Sequence, residues 1–369
     1  MSDNISSSTK TGGNTPWGWL GLLKWSLAYS DGTNPTTASP MSAEDRAFLE
    51  KVMKEGIIDE NERMKEILQQ VTEGLEDIRN TTTSNNNRHQ ELEDEIQDLL
   101  QELRDIVEQI DYSRAFAAMK GLPFLVGCIS QEEVPRSIQT SCLGVLATMA
   151  SNNPPIQKEL LEMGAIKTLS EIFQSTPEET DFRARIIQAL SATVRSYELS
   201  EQVFCGVEQA PHLVLEGLQP GPGKDVLQKR TMFFLRALIT SDDSTRERVR
   251  LFDSSIAFVA DHLIVPLSPD EDTPSMAEIR EMGLALLLQI LEQKKSVDAI
   301  LARKESLVAH GVQRVQALRA LTGEEKEFAA VELETWEALI VQLARASPDA
   351  PDEPSLLMLT APNPELEPQ

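Results

Sequence analysis

The feature that most constrains this fold is a set of apolar residues that returns every 44 positions. Leu125, Leu169 and Leu213 are each 44 residues apart, and the apolar stretch 256–259 continues the series. In a second register, which recurs at intervals of 44, 45 and 51 residues, one apolar residue is followed 14 positions later by another. Two registers that share one period indicate an internal repeat. The second-register pairs are Leu146 with Leu160, Leu190 with Phe204, Leu235 with Val249, and Leu286 with Ile300.

This period, without strand-like alternation, predicts an all-α, armadillo-like solenoid. Units of about 40–47 residues are typical of armadillo and HEAT arrays, in which each unit buries its apolar face only against its neighbours. About four repeats are expected within residues 119–304, and the segments 90–118 and 305–346 are expected to form helical caps.

Prolines mark three expected helix starts. Asn153-Pro154, Thr176-Pro177 and Thr273-Pro274 each place a residue suited to N-capping before a proline. Proline is favoured at the first helical position because its missing N–H would have no helical partner there. Helices are therefore predicted to begin at these three prolines.

Composition divides the rest of the chain. The length allows one elongated domain with tails or two domains. Polar, Pro-rich segments bury too little apolar surface to order themselves, so both termini are expected to be disordered. The predicted organisation is 1–41, with an apolar block containing three of the four tryptophans; 42–80, amphipathic helices; 81–89, a polar linker; 90–346, the repeat domain with its caps; and 347–369, a Pro-rich acidic tail.

Net charge restricts the classes of partner. The chain carries a formal charge of -25, which repels nucleic-acid backbones and anionic membranes, so neither is an expected partner. No stretch reaches the roughly 18 apolar residues of a membrane span. The first residues do not resemble a secretory signal, and Cys128, Cys142 and Cys205 fit buried thiols. We therefore expect a cytoplasmic protein.

Candidate chemistry is sparse. His89, His212, His262 and His310 lie in different segments, and none has Cys or carboxylate neighbours at metal-ligand spacing. Phosphate-binding glycine loops and nucleophile elbows are absent from the sequence. The prediction is a binding protein with no catalytic residue, no metal and no cofactor, and not an enzyme.

Two groups of residues are candidates for partner contacts. One lies near the ends of the last helices of the first two repeats, where capping is an alternative role for the asparagines. The other is a basic cluster in the third repeat, which either meets an acidic partner or is an ordinary solvated face. The candidates are Asn152, Asn153, Arg195, Tyr197, Lys229, Arg230 and Arg236.

The apolar N-terminal block is a third candidate element. A short apolar segment with one lysine chemically resembles an unfolded client polypeptide. A helix on a membrane surface is the competing interpretation, but the block has no basic face. Its candidate residues are Trp19, Leu20, Leu22, Leu23, Lys24, Trp25 and Leu27.

Several motifs and their order along the chain resemble those of the armadillo-type nucleotide exchange factors of the seventy-kilodalton heat-shock chaperone. This family comprises the Fes-type proteins and the related heat-shock-protein-binding proteins. The likeness covers about residues 17–346 and departs from the family at 81–89, 111–114 and 266–274. The motifs are Gly21–Leu27 followed by Ser30–Thr33, then Ser42–Arg46, Arg63–Leu68, Gly121–Pro123, Val194–Ser196 and Lys229–Leu235.

The resemblance implies a co-chaperone that works by binding alone. Its concave face would embrace one lobe of the chaperone's nucleotide-binding domain and favour a conformation that holds ADP poorly. The N-terminal block would help to release substrate from the chaperone. Independently of the resemblance, a solenoid with capped ends need not self-associate, so a monomer is expected. The alternative is a general armadillo adaptor that binds an extended peptide with Asn152, Asn153 and Arg195.

Overall fold

The computed structural model describes residues 59–80, 86–265, 273–293 and 297–346. The chain divides into two compact units, 1–67 and 68–369. In the first unit the described residues are the start of helix α1 (Glu60–Asn80). Asp59 caps that helix, because its Oδ1 accepts the backbone N–H of Asn61 at 3.0 Å.

The described part of the second unit is helical and repetitive. After α2 (Asn86–Val107), helices follow in sets of three, called triplets here, and most contain two short helices and one long helix. The triplets are α3 (Ile110–Ala118), α4 (Gly121–Ser130) and α5 (Arg136–Ala150); α6 (Pro154–Glu162), α7 (Ala165–Ser175) and α8 (Thr180–Val194); α9 (Glu198–Gly206), α10 (Ala210–Gly217) and α11 (Asp225–Thr240); α12 (Arg246–Leu251), α13 (Asp253–Phe258) with a π-helical turn (Val259–Leu263), and α14 (Pro274–Gln293). A final set holds α15 (Asp298–Leu301), α16 (Lys304–Arg319), the short α17 (Glu324–Phe328) and α18 (Ala330–Arg345).

The helices of this unit form two layers. The long helices α2, α5, α8, α11, α14 and α18 contact one another in chain order and make one continuous layer. The shorter helices cover its other side and contact their counterparts in the neighbouring triplets. This arrangement confirms the predicted all-α armadillo-like solenoid.

Both apolar registers lie in the core. Leu125, Leu169 and Leu213 are buried on the second helices of the first three triplets, and every residue of the second register is also buried. The repeat period thus reflects equivalent positions that bury apolar area against the next triplet.

The frame of the repeats differs from the expectation. The first triplet begins at Ile110, inside the segment assigned to the N-terminal cap. Helix α3 belongs to the array because its Phe116 packs directly against the backbone of Gly121. A Cβ atom on that glycine would approach the Phe116 ring to 2.2 Å.

Two of the three predicted helix starts are confirmed. Helices α6 and α14 begin at Pro154 and Pro274, and Thr273 Oγ1 accepts the N–H of Met276 at 3.3 Å. The start at Pro177 is wrong, because α8 begins at Thr180 after a turn. The Thr176 hydroxyl instead donates to the carbonyl of Ile172 in the preceding helix, at 2.9 Å.

Within the described ranges, no helix is both long enough and apolar enough to cross a bilayer.

Candidate partner-binding groove

A groove of about 350 Å³ crosses the layer of long helices. Arg195, at the end of α8, lies in it beside Lys229 and Arg230 of α11. Two short helices separate these residues along the chain, and the side-by-side contact of α8 and α11 brings them together. The structure therefore unites three of the seven predicted contact residues in one site.

An exposed aromatic ring forms part of the groove. Phe233 is 48% exposed, and the guanidinium carbon of Arg195 lies 4.5 Å from the centroid of its ring. Burial lowers the pKa of Arg195, but an arginine remains a cation at neutral pH. The stacking fixes the plane of this guanidinium, which leaves it oriented before any partner arrives.

The positive charge extends along the long helices to two arginines that the sequence reasoning did not single out. Arg104 of α2 donates from Nε to Thr148 Oγ1 at 3.0 Å, and Arg185 of α8 donates to Gln188 Oε1 at 3.2 Å. Burial lowers the pKa of Arg230, and repulsion from Arg185 and Arg104 lowers it further. Asp181 of α8 opposes this shift. Arg104 and Arg185 also line one cavity, so the three cations lie close enough to interact.

These three arginines form no ion pair with any carboxylate among the described residues. Lys229 differs from them, because its ammonium group pairs with Glu278 of α14. Arg185 could have been found from Arg230, because the two arginines occupy equivalent positions in successive repeats: each is the sixth residue of its long helix. We call this set the basic groove; it consists of Arg104, Arg185, Arg195, Lys229, Arg230 and Phe233.

Two turns beside the groove have left-handed backbone conformations 44 residues apart. Asn152 follows α5 with φ 52°, and Ser196 follows α8 with φ 60°. Such angles are uncommon for residues other than glycine and persist where surrounding contacts enforce them. Asn152 is exposed, and Tyr197 is half-buried at the start of α9.

Asn153 does not have the surface that a partner contact requires. It is 2% exposed, and its Nδ2 donates to Ser113 Oγ at 3.3 Å. The side chain makes no capping bond to α6 either. Its role is to join α3 to the turn after α5, which corrects its assignment as a partner-contact residue.

A buried polar position, repeated every 44 residues, holds these turns. It is occupied by Ser113, Gln157 and Glu201 in the first helices of three triplets. Gln157 Nε2 donates to the carbonyl of Arg195 at 2.9 Å, and Glu201 Oε1 accepts the N–H of Ser196 at 3.1 Å. Gln157 and Glu201 therefore position the turn at Arg195. The one signal for these residues in the sequence is that a polar residue recurs at the same place in each repeat, 44 residues apart.

Other candidates lie elsewhere. Arg236 is exposed on α11, outside the residues that line the groove, and donates from Nε to Gln289 Oε1 at 2.9 Å. The N-terminal block, Trp19 to Leu27, lies outside the described residues. In the described ranges, no group of three or more His, Cys, Asp or Glu side chains is arranged to hold a metal ion.

Comparison with known proteins gives the family. A family model described as "Nucleotide exchange factor Fes1" matches residues 20–114, and one described as "SIL1/FES1/HPBP1 C-terminal domain" matches residues 112–256. A curated relative, "Hsp70 nucleotide exchange factor FES1" of Gibberella zeae, is 25% identical over 185 residues, which are 50% of this chain and 79% of that protein.

Two solved structures share the fold at low identity. A designed armadillo repeat protein in complex with the peptide (KR)4 aligns with TM-score 0.51 and 13% identity, covering 75% of this chain and 98% of its own. An engineered protein aligns with TM-score 0.50 and 15% identity, covering 74% and 99%. The two adjoining family matches run from residue 20 to residue 256, so this chain belongs to the Fes1 family of nucleotide exchange factors.

Proposed function

We propose that this chain is a nucleotide exchange factor for Hsp70 and that it binds the chaperone's nucleotide-binding domain through the basic groove. The family and the curated relative support the activity. The observation that supports the location is a group of arginines that form no ion pair with any carboxylate of the described ranges, in a protein of net charge -25. Such a group suits an acidic surface of a partner.

The mechanism requires only differential binding. If the groove binds the open, nucleotide-poor conformation of the chaperone more tightly by about 3–4 kcal/mol, ADP affinity falls by two to three decades, because coupling between two sites is reciprocal. Arg195 is already stacked on Phe233, so little side-chain freedom is lost when the partner docks. No side chain of this chain acts on a covalent bond, and the protein is not an enzyme.

Several further roles belong to the same proposal. The N-terminal block acts as a client mimic that helps to release substrate from the chaperone. The protein works as a monomer in the cytoplasm, without nucleic acid or membrane. The free thiols of Cys128, Cys142 and Cys205 support a reducing compartment.

The test measures release of a labelled ADP from Hsp70 in a stopped-flow instrument. We expect the native chain to accelerate release, and Arg185→Glu with Arg230→Glu to weaken that effect by at least about tenfold. Lys158→Glu with Lys167→Glu is the control, because it changes net charge equally on short helices away from the groove.

Two results would contradict the proposal in different ways. If the native chain leaves the rate of ADP release unchanged, the exchange function is wrong. If the variant with Arg185→Glu and Arg230→Glu accelerates ADP release as much as the lysine control and the native chain do, the exchange activity stands but the basic groove is not the contact surface.

A further inference from the structure

The basic groove has two unmet requirements. Arg104 and Arg185 line one cavity and both repel Arg230, which Asp181 of α8 attracts, yet none of the three arginines forms an ion pair in the described part of the chain; Phe233 is 48% exposed. In addition, Arg195 Nε is buried with no hydrogen-bond acceptor among the described residues. A ligand that brought carboxylates and apolar side chains together would satisfy all of these groups.

The segment after α18 has this chemistry. Residues 347–369 contain five carboxylates and no basic residue. An apolar run, Leu356-Leu357-Met358-Leu359, lies between the two acidic clusters. Carboxylates on both sides of an apolar centre match a groove in which Arg195 and Arg230 lie with the exposed ring of Phe233. The acidic residues are Asp349, Asp352, Glu353, Glu365 and Glu367.

The segment is long enough to reach the groove. It follows Ala346 at the end of α18, which contacts α14, and α14 contacts the α11 helix that carries Arg230. Adjacent helices lie about 8–10 Å apart, so two steps across the layer cover about 20 Å. A chain of this length spans up to about 75 Å when extended. Tethering also gives an effective concentration of about millimolar, so even a weak contact is populated.

We propose that residues 347–369 occupy the basic groove of their own chain when no partner is bound there. The tail carboxylates pair with Arg185 and Arg230, and the apolar run covers Phe233. Because one groove cannot hold both ligands, the tail competes with the chaperone and lowers its apparent affinity. This second consequence rests on the proposed function, whereas the docking itself does not.

Lys229 provides a reporter of docking in the full-length chain. A carbodiimide joins an ammonium group to a carboxylate in contact with it, and Lys229 already pairs with Glu278. The Lys229 to Glu278 link is therefore an internal reference in every digest analysed by mass spectrometry. We expect additional links from Lys229 to the tail carboxylates. A mixture of isotope-labelled and unlabelled chains separates links within one chain from links between chains.

The matched variant is Arg185→Gln with Arg230→Gln, which adds no new carboxylate near Lys229. The tail links should fall several-fold in this variant while the reference link remains. If the native chain gives the reference link alone, or tail links only between chains, the docking proposal is overturned.

The competition is tested by changing the five tail carboxylates to the corresponding amides. Chaperone affinity should rise several-fold in the native background and stay unchanged when Arg185 and Arg230 are glutamine. Tail links with an unchanged chaperone affinity would overturn the competition. A native chain that does not affect ADP release would overturn the proposed function and leave the crosslinking result intact.

Discussion

Arginines at the boundaries between triplets and arginines in the basic groove have opposite surroundings. At three of the boundaries a buried arginine pairs with a carboxylate of a neighbouring triplet, as in Arg183 of α8 with Glu216 of α10 at 2.8 Å. In the groove, Arg185 of that same α8 has only an amide partner among the described residues. One helix therefore places two arginines in different roles: one stabilises the array, and the other remains available to a partner.

The clearest boundary contact joins helices α14, α16 and α18. Glu332 of α18 accepts hydrogen bonds from Arg280 of α14 at 2.9 and 3.2 Å, and from Arg314 of α16 at 2.7 and 2.9 Å. The Arg280 and Glu332 side chains are 2% and 4% exposed. A charge at this depth is tolerated only while its partners remain.

Removing that carboxylate should give the largest effect. Glu332→Gln removes the buried carboxylate that Arg280 and Arg314 share, so we expect the free energy of unfolding to fall by about 3–5 kcal/mol in chemical denaturation. Glu337→Gln is the control, since its pair with Arg319 is exposed and contributes at most about 1 kcal/mol. Equal losses in the two variants would mean that depth does not distinguish the two kinds of arginine.

Neutralising the groove should give the converse pattern. With Arg185→Gln and Arg230→Gln we expect chaperone affinity to fall about 10- to 100-fold, while the free energy of unfolding changes by no more than about 0.5 kcal/mol. Any change should be toward greater stability, because repulsion between the arginines is relieved. Titration calorimetry and denaturation on the same samples measure both quantities, and a large loss of stability would contradict the assignment.

Acid should weaken the boundary contact. Burial alone would raise the pKa of Glu332, but hydrogen bonds and charge from Arg314 and Arg280 outweigh it, and the pKa is lowered from its ordinary 4.5. Because the pKa of Glu332 is lower in the folded chain than in the unfolded chain, its stabilisation is complete at pH values above the unfolded-state pKa. The stabilisation is lost as the pH falls through the folded-state pKa. The stability difference between native chain and Glu332→Gln should therefore be constant above about pH 5 and shrink below pH 4.5. A difference that stays constant down to about pH 3 would contradict this.

Salt should give the smallest effect and separate the two regions again. The Debye length falls from about 10 Å at 0.1 M to about 3 Å at 1 M salt, so open charges are screened more than buried pairs. We expect chaperone affinity to fall several-fold between these concentrations. The stability cost of Glu332→Gln should change little across the same range, measured in urea, which is uncharged.

The sequence predicted the parts of this molecule that depend on periodic burial. Leu125, Leu169 and Leu213 could be assigned to the core because apolar residues that recur at a fixed spacing indicate equivalent buried positions in a repeat. Arg195 was found because it lies near the end of the last helix of a repeat, and Arg230 because basic residues cluster in the third repeat of an acidic chain. That the two residues line one groove came from the structure, in which α8 and α11 lie side by side.

What the sequence did not reveal depends on contacts between distant residues. Nothing in the surroundings of Asn153 indicates that its amide reaches Ser113, so it was assigned to the surface. Thr176-Pro177 resembles a helix start, but proline also suits tight turns. Arg104 joins the groove only because α2 extends the layer of long helices, which the period could not show.

The boundary contacts also restrict the order of the triplets. The second triplet supplies Arg183 to the third, the third supplies Glu201 to Arg248 of the fourth, and the fourth supplies Arg280 to Glu332. The arginine therefore comes from the earlier triplet at some junctions and from the later triplet at another, and it occupies a different position in the helices each time. A duplicated or transposed triplet would bury a charged side chain opposite the wrong neighbour. The helices follow one common plan, yet each unit is suited to a single place in the sequence, so an array of this kind cannot be lengthened by copying a unit unless a new matching pair is introduced with it.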